Sequence, residues 1–410
     1  MIDYEIKNKC VLCSSTKLLK TIKFNKTPLA NDYDLKINLR KKKFPLELII
    51  CKICKHVQLR HIVNKNLLFS NYLYVSGTSS VFVNHFKNLV NDLFKKKYLL
   101  KNDFVVEIGS NDGTLLKLFK DKNIKVLGID PAKNLVKKSV ISNIETIHGF
   151  FNFKITKKIK INYPTPKLII ANNVFAHTDE LQEFVKNVNI LMSKNSIFIF
   201  EVQYLSELVK NLYFDMIYHE HTSYHAIFPL INFFRKYNLI IFDIQKISTH
   251  GGSLRIFVKQ NYNDVKIKKN VSNFLKYENK LNLGNRSTYI GFFNKISLLK
   301  KKLNRILKEY YLSNKKIIGY GAPAKATTFI YQLEIQKYFD FVIDDNNLKQ
   351  NKFLPGTSIK IKGNSFLKKF EPDYVVILAW NFSDSIIKNN KKILKNKVKF
   401  LIPFPNIRII

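Results

Sequence analysis

Hydrophobic and polar positions along the chain form two blocks of alternating strand and helix patterns, separated by one long helical stretch. From about Leu67 to Lys259, short apolar runs ended by glycine or acid alternate with stretches of helical period. "DFVVEIGSNDG" reads as a buried strand, Phe104–Ile108, entering a glycine turn and then the helical "TLLKLFKDK". "KVLGIDPA" gives a second strand ending in Asp130, "KLIIANNVFAH" a third and "SIFIFEVQYL" a fourth. Such alternation predicts an α/β, doubly wound parallel sheet. From about Tyr262 to Tyr311 the Lys/Leu/Asn-rich pattern is helical and connecting. Then "KKIIGYGAPAKATTFIYQ" repeats strand, turn and helix, and "FDFVIDD", "DYVVILAW" and "VKFLIPFP" add strands of a second, smaller α/β unit. The expected division is 1–66, 67–260, 261–312 and 313–410. No repeat of solenoid type and no low-complexity linker interrupts it.

A chain of 410 residues exceeds one ordinary core, and 46% hydrophobic content gives each unit apolar material to bury. The net charge of +39 invites a nucleic-acid reading. The basic residues are nearly all Lys, however, and lie scattered beside Asn, Ile and Phe, all with codons rich in A and T. Runs such as "RKKK" (Arg40–Lys43) and "KKK" (Lys95–Lys97) read as solvated faces. The charge also suits a substrate carrying phosphates. "MIDYEIKNKC" lacks the apolar core of a signal peptide, and no apolar run has the length of a membrane span. A cytoplasmic protein is expected.

All four cysteines lie in the first 54 residues, as "CVLC" (Cys10, Cys13) and "CKIC" (Cys51, Cys54). Each CxxC loop points two thiolates at one ion, so two loops supply a closed, tetrahedral, structural Zn2+ site. A redox CxxC would need a βαβ context that is missing here. His56 and His61 are spare neighbours, and a small strand-rich insert is expected between the pairs.

"EIGSNDG" carries Glu107, Gly109, Asn111, Asp112 and Gly113. A strand-end glycine lets a ligand approach the backbone, and the following helix start offers free N–H groups. NAD calls for GxGxxG. The spacing here is GxxxG with an acid two residues before it, which suits S-adenosylmethionine, a ligand with no pyrophosphate to cradle. Asp130 closes the second strand, where an acid can accept ribose hydroxyls.

The chain resembles a family of S-adenosylmethionine-dependent sugar C-methyltransferases that act on nucleotide-linked keto-deoxysugars. The resemblance runs in order through the paired CxxC, "NYLYVSGTSS" (Asn71–Ser80), "VVEIGSNDG", "GIDPA", "NNVFAH", "FDMIYHEH", "HGGSLR", "IGYGAPAKATT" and "LAWN". It implies a zinc-binding unit, a Rossmann-like methyltransferase domain and a C-terminal Rossmann-like domain that helps hold the substrate's nucleotide. By this resemblance His221 is the base, Glu220 its active-site neighbour, and Tyr218 a contact to the keto sugar. Tyr72 resembles the family's other active-site tyrosine, and Asn173 and His177 its further polar residues, Asn173 on the cofactor side. Ser14 and Lys55 stand where the family often has glycine after each cysteine pair.

"YHEHTSYH" (Tyr218–His225) also has chemistry of its own. Methylating carbon requires a carbanion equivalent, formed when a base removes a proton next to a ketone and donors hold the enolate. Imidazole is the base suited to neutral pH, a carboxylate can orient the ring, and tyrosine hydroxyls can meet the oxyanion. His221 and His225 could share a helix face, but HExxH would need a histidine at 223, which is Ser223. His250 or Arg255 of "HGGSLR" could face a phosphate, and Lys325 after the "GYGAPA" turn could do so too. "IDD" (Ile343–Asp345) stands where a cofactor domain has its ribose acid. The expected partner is a small nucleotide sugar, without nucleic acid or membrane, bound by a monomer or small homo-oligomer. A nucleic-acid methyltransferase is the rival reading, but no Asn/Asp-Pro-Pro-aromatic motif is present and every cysteine is in a zinc-like pair. A non-catalytic S-adenosylmethionine-binding protein is the other rival, and the Tyr–Glu–His cluster speaks against it.

Overall fold

The computed structural model describes residues 3–70, 72–262, 264–391 and 398–410. Asn71, which opens one of the motifs above, lies outside them. The N-terminal unit holds β1 (Tyr4–Ile6), β2 (Leu18–Thr27), β3 (Phe44–Cys51), β4 (Val57–Leu59) and β5 (His61–Val63). β2, β3 and β4 form an antiparallel meander, and β1 pairs with β5. β2 and β3 form the strand-rich insert between the cysteine pairs, and β4 follows the second pair. Along β2, Ile22 and Phe24 are buried while Lys23 and Asn25 are exposed, the period-two alternation of a sheet with one wet face.

The central unit contains β6 (Phe104–Ile108), β7 (Lys125–Asp130), β8 (Thr146–His148), β9 (Leu168–Asn172) and β10 (Ile197–Gln203). It continues through β11 (Ser223–Tyr224), β12 (Leu239–Ile247) and β13 (Ser253–Gln260). Seven strands form one sheet in the order β12-β13-β10-β9-β6-β7-β8. β6 to β10 pair in parallel, as their apolar runs predict. β6 is buried at all five positions, as expected of a strand covered on both faces. One edge departs from the parallel plan, because β13 is antiparallel to β10 and β12 antiparallel to β13. Residues 248–252 are too few for a parallel crossover, so the chain turns straight back. β11 also departs from the expected division. It pairs with β4 and extends the N-terminal sheet to four strands, β11-β4-β3-β2.

Two helices, Lys269–Lys280 and Arg286–Leu312, lead to the C-terminal unit. The second buries Tyr289, Phe292, Ile296, Leu299, Leu303 and Leu307, a stripe spaced by three and four residues. That stripe shares one apolar cluster with Phe24 of β2, Phe214 and Phe329, so it docks all three units onto a common core. The last unit holds β14 (Ile317–Tyr320), β15 (Phe341–Ile343), β16 (Lys360–Lys362), β17 (Tyr374–Ile377), β18 (Lys399–Ile402) and β19 (Arg408–Ile409). Their order is β16-β15-β14-β17-β18-β19, parallel except for the last. Among the described residues no helix is long and apolar enough to cross a membrane.

Candidate active site

The four cysteine sulfurs converge, each within 4.8 Å of the others, with Cys10 and Cys54 3.4 Å apart and Cys13 and Cys51 3.5 Å apart. Four sulfurs about 2.3 Å from one zinc ion would stand about 3.8 Å from each other, so the cluster fits a tetrahedral structural site. Ser14 and Lys55 take left-handed backbone, φ 61° and 64°, and their N–H groups donate to the carbonyls of Cys10 and Cys51 at 2.9 and 3.0 Å. The glycine turn of the family is therefore built here with side chains, at a cost of about 1 kcal/mol each. His56 and His61 stay outside the cluster. His56 instead meets Ser223 Oγ at 3.1 Å.

The glycine turn lies at the carboxyl end of β6. Gly109 has φ 71°, and a Cβ there would lie 2.3 Å from Val174 Cγ2, so no other residue fits. Glu107 is 3% exposed, and its Oε2 and the neighbouring Ser110 Oγ have no hydrogen-bond partner among the described residues. Burial, then the charges of Asp112 and Asp130, push the Glu107 carboxyl well above its ordinary range. An orphaned buried acceptor at this sheet edge fits a ligand that brings donors, as the hydroxyls and ammonium of S-adenosylmethionine do.

Asp130 accepts from the Asn111 and Ala132 N–H groups, both at 2.8 Å, and each oxygen keeps a lone pair for a ribose hydroxyl. Burial raises this carboxyl to about 6. Asn111 and Asp112 face a neighbouring loop with their side chains. Asn111 donates to the Tyr74 carbonyl at 3.1 Å and accepts from the Ser76 N–H at 3.0 Å, and Asp112 accepts from the Gly77 N–H at 3.1 Å. They latch the segment 74–77 to the turn. Asn173, φ 55°, follows β9, donates its N–H to the Glu201 carbonyl at 2.8 Å and precedes the valine packed on Gly109.

Tyr218–His225 is not a helix. It is a buried turn that runs into β11, with His219, Glu220 and His225 at most 2% exposed. Its histidines therefore share no helix face, and the cysteine cluster is the only compact metal-ligand group among the described residues. His221 Nδ1 lies 2.8 Å from the Met216 carbonyl, which can only accept, so Nδ1 carries the hydrogen. Nε2 is left as an acceptor, and the Tyr218 hydroxyl donates to it at 3.1 Å. Burial lowers this imidazole to about 4 and keeps it neutral. His177 packs 5.0 Å from the His221 ring, and Phe69 stacks on His177 at 5.6 Å and 13°.

Glu220 does not orient the His221 ring, although the two are adjacent in sequence. Successive side chains diverge in this turn, and the Met216 carbonyl holds the ring instead. Glu220 accepts from Asn31 Nδ2 at 2.6 Å and from the Tyr72 hydroxyl at 2.8 Å, while burial raises it to about 7. Asn31 lies in the loop between β2 and β3 and carried no motif that would have marked it. Tyr72 contacts Phe69 at 5.8 Å, which links it to His177 and hence to His221. The predicted polar groups Tyr72, His177, Tyr218, Glu220 and His221 thus form one cluster. His219 and His225 point elsewhere, to the carbonyls of Pro45 and Phe175.

Arg255 is 5% exposed and does not present itself to a phosphate. Its Nε donates to Glu201 Oε1 at 2.7 Å, and His85 reaches Glu201 Oε2 at 2.8 Å. His250 takes φ 53° and packs against Phe82 at 5.1 Å. In the C-terminal unit, Asp344 accepts from the Ala322 N–H at 2.6 Å, so the acid of "IDD" closes its own glycine turn. The Ala322 carbonyl accepts from Tyr33 and Lys349, at 2.6 and 2.8 Å.

Comparison with known proteins agrees with this layout. Residues 10–69 match the model of a zinc binding domain, 84–242 a methyltransferase domain, and 248–405 a C-methyltransferase C-terminal domain. The C-methyltransferase NovU of Streptomyces niveus is 31% identical over 406 residues, spanning 98% of this chain and 97% of that relative. Solved structures match the chain in part. The PH0226 protein of Pyrococcus horikoshii OT3 is 18% identical, over 46% of this chain and 94% of its own, with TM-score 0.37. Magnesium protoporphyrin IX methyltransferase from Synechocystis PCC 6803, with bound SAH, is 13% identical over 43% and 83%, with TM-score 0.34. A relative that aligns from end to end, on top of the cysteine cluster and the acid-flanked glycine turn, decides the matter: the chain belongs to the S-adenosylmethionine-dependent C-methyltransferases with a zinc-binding N-terminal unit.

Proposed function

We propose that the enzyme methylates the ring carbon next to the ketone of a nucleotide-linked keto-deoxysugar, with His221 as general base. The observation that carries this reading is the state of one ring: Nδ1–H is tied to Met216, and Nε2 is an unprotonated acceptor that meets the Tyr218 hydroxyl. His221 Nε2 takes the proton from the C–H next to the ketone, and the C–H electron pair moves to form the enolate. With substrate bound, the Tyr218 hydroxyl would turn from His221 Nε2, and the Tyr72 hydroxyl from Glu220, to donate to the enolate oxygen. S-Adenosylmethionine, when bound, supplies an electrophilic methyl group. Glu107, Asp130 and the backbone around Gly109 are the groups that would hold it, with Asn173 beside them and Asn111 and Asp112 fastening the covering loop.

The sugar substrate rests on the family resemblance of the motifs, and the net positive charge suits its diphosphate. Thiols gathered for a metal suit a reducing compartment such as the cytoplasm. We place the boundaries between the units at 66, 260 and 312, with β11 belonging to the central unit by sequence and to the first by pairing.

The test is mass spectrometry of nucleoside-diphosphate-linked keto-deoxysugars incubated with enzyme and S-adenosylmethionine. A gain of one methyl is expected, and His221→Ala should slow it about 10²–10⁴-fold while still binding the donor. Methyl transfer to RNA or DNA, or full activity in His221→Ala, refutes the reading.

A further inference from the structure

The Met216 carbonyl that fixes His221 belongs to a short turn, Phe214–Met216, and the residues on both sides of it are gripped by the C-terminal unit. Asp215, 0% exposed, accepts from Trp380 Nε1 at 2.6 Å. Ile217 offers its carbonyl to Thr328 Oγ1 at 3.3 Å. Tyr213 stacks on the Trp380 ring at 3.9 Å and 17°, and Phe214 lies parallel to Phe329 at 6.0 Å and 16°. Lys325 holds the tryptophan in place. Its Nζ is 3.5 Å from the ring centre and donates to Asn381 Oδ1 at 2.7 Å.

A buried carboxylate at the edge of an indole and a buried ammonium over its face make an expensive construction, and apolar side chains would pack such a contact at less cost. Burial pushes the Asp215 carboxyl up and the Lys325 ammonium down, the direction in which each charge is disfavoured. What the polar contact adds is direction. The Trp380 N–H admits one placement of Asp215, and so one placement of the next carbonyl along the chain.

We propose that Asp215 and Trp380, with Thr328, are positioning residues: through them the C-terminal unit holds the Met216 carbonyl, keeps the hydrogen of His221 on Nδ1 and leaves Nε2 unprotonated as the base. The catalytic half of this statement rests on the proposed role of His221; the positional half does not.

The experiment therefore reads the ring and the rate separately. Nitrogen-15 imidazole spectra report the His221 tautomer, and turnover of a nucleoside-diphosphate-linked keto-deoxysugar reports kcat and KM. Trp380→Phe keeps the ring packing and removes the N–H. It should give a mixed His221 tautomer and a kcat lower by about 10- to 100-fold at unchanged KM. Asp215→Ala should behave alike, whereas Asp215→Asn, which keeps an acceptor oxygen for Trp380, should retain most of the activity. Thr328→Val removes the second tether with little change of shape and should give a smaller loss of the same kind. Folded Trp380→Phe and Asp215→Ala proteins with an unchanged single tautomer overturn the proposal. A changed tautomer with unchanged kcat keeps the positioning claim and instead removes His221 from the role of base.

Discussion

Replacing Glu220 by Gln should change how stability depends on pH, by an amount the site itself sets. The carboxyl is 2% exposed, and although Asn31 and Tyr72 donate to it, burial outweighs them and raises it from the ordinary 4.5 to about 7. The fold therefore favours the protonated form. Below about pH 4.5 both folded and unfolded chains hold this proton, and Glu220 imposes no penalty. Between there and about pH 7 the unfolded chain has released it while the folded chain has not, so stability falls as pH rises. At about 1.4 kcal/mol per tenfold change in proton affinity, the loss totals about 3 kcal/mol and is complete above about pH 7. Gln cannot titrate, so the stability of the native chain minus that of Glu220→Gln should fall by about 3 kcal/mol from pH 4.5 to pH 8. Urea unfolding of the two proteins at several pH values measures it, with the fluorescence of Trp380, the chain's only tryptophan, as the probe. Every other titrating group is common to both chains and cancels in the difference. A difference that stays constant within about 1 kcal/mol from pH 5 to pH 8 refutes the reasoning, because it would mean that the two donors outweigh burial.

Stripping zinc with a chelator should speed amide exchange in β2, β3, β4 and β11 together, since Cys51 ends β3 and the knuckle after it leads into β4. Exchange mass spectrometry with metal analysis checks this, and an exchange pattern unchanged after complete metal loss contradicts it. Lys55→Gly relieves a left-handed side chain at φ 64° and should stabilise the holo-protein by up to about 1 kcal/mol in thermal or urea unfolding. A destabilised variant would show that Lys55 contacts outweigh the strain. Gly109→Ala should abolish donor binding in calorimetry, because the added methyl would sit 2.3 Å from Val174 Cγ2 at a backbone angle of φ 71°.

The parts of this fold that could be read from sequence are those whose cause is local. β6, β7, β9 and β10 announce themselves as apolar runs because both faces are covered, and the cysteine pairs because metal geometry fixes their spacing. β11 has two residues and no periodicity, and only its pairing with β4 makes it a strand. Arg255 reads as a surface cation until the fold brings Glu201 against it, 54 positions away in sequence.

The cluster around His221 shows the same division more sharply. "YHEH" is compact in sequence, which suggested that its members serve one another, and one pair does: Tyr218 reaches His221 because a turn brings residues three apart together. The other partners come from far along the chain. Glu220 is held from 189 and 148 positions away, by Asn31 and Tyr72, and the turn behind His221 is held by Trp380, 165 positions from Asp215. Each of those three comes from a different place: the N-terminal loop, the segment that enters the methyltransferase sheet, and the C-terminal unit. A methyltransferase sheet alone can offer the glycine turn and the two acids beside it. Holding one buried imidazole in a single tautomer and one buried carboxyl between two donors requires walls on every side, and in this chain the flanking units supply them.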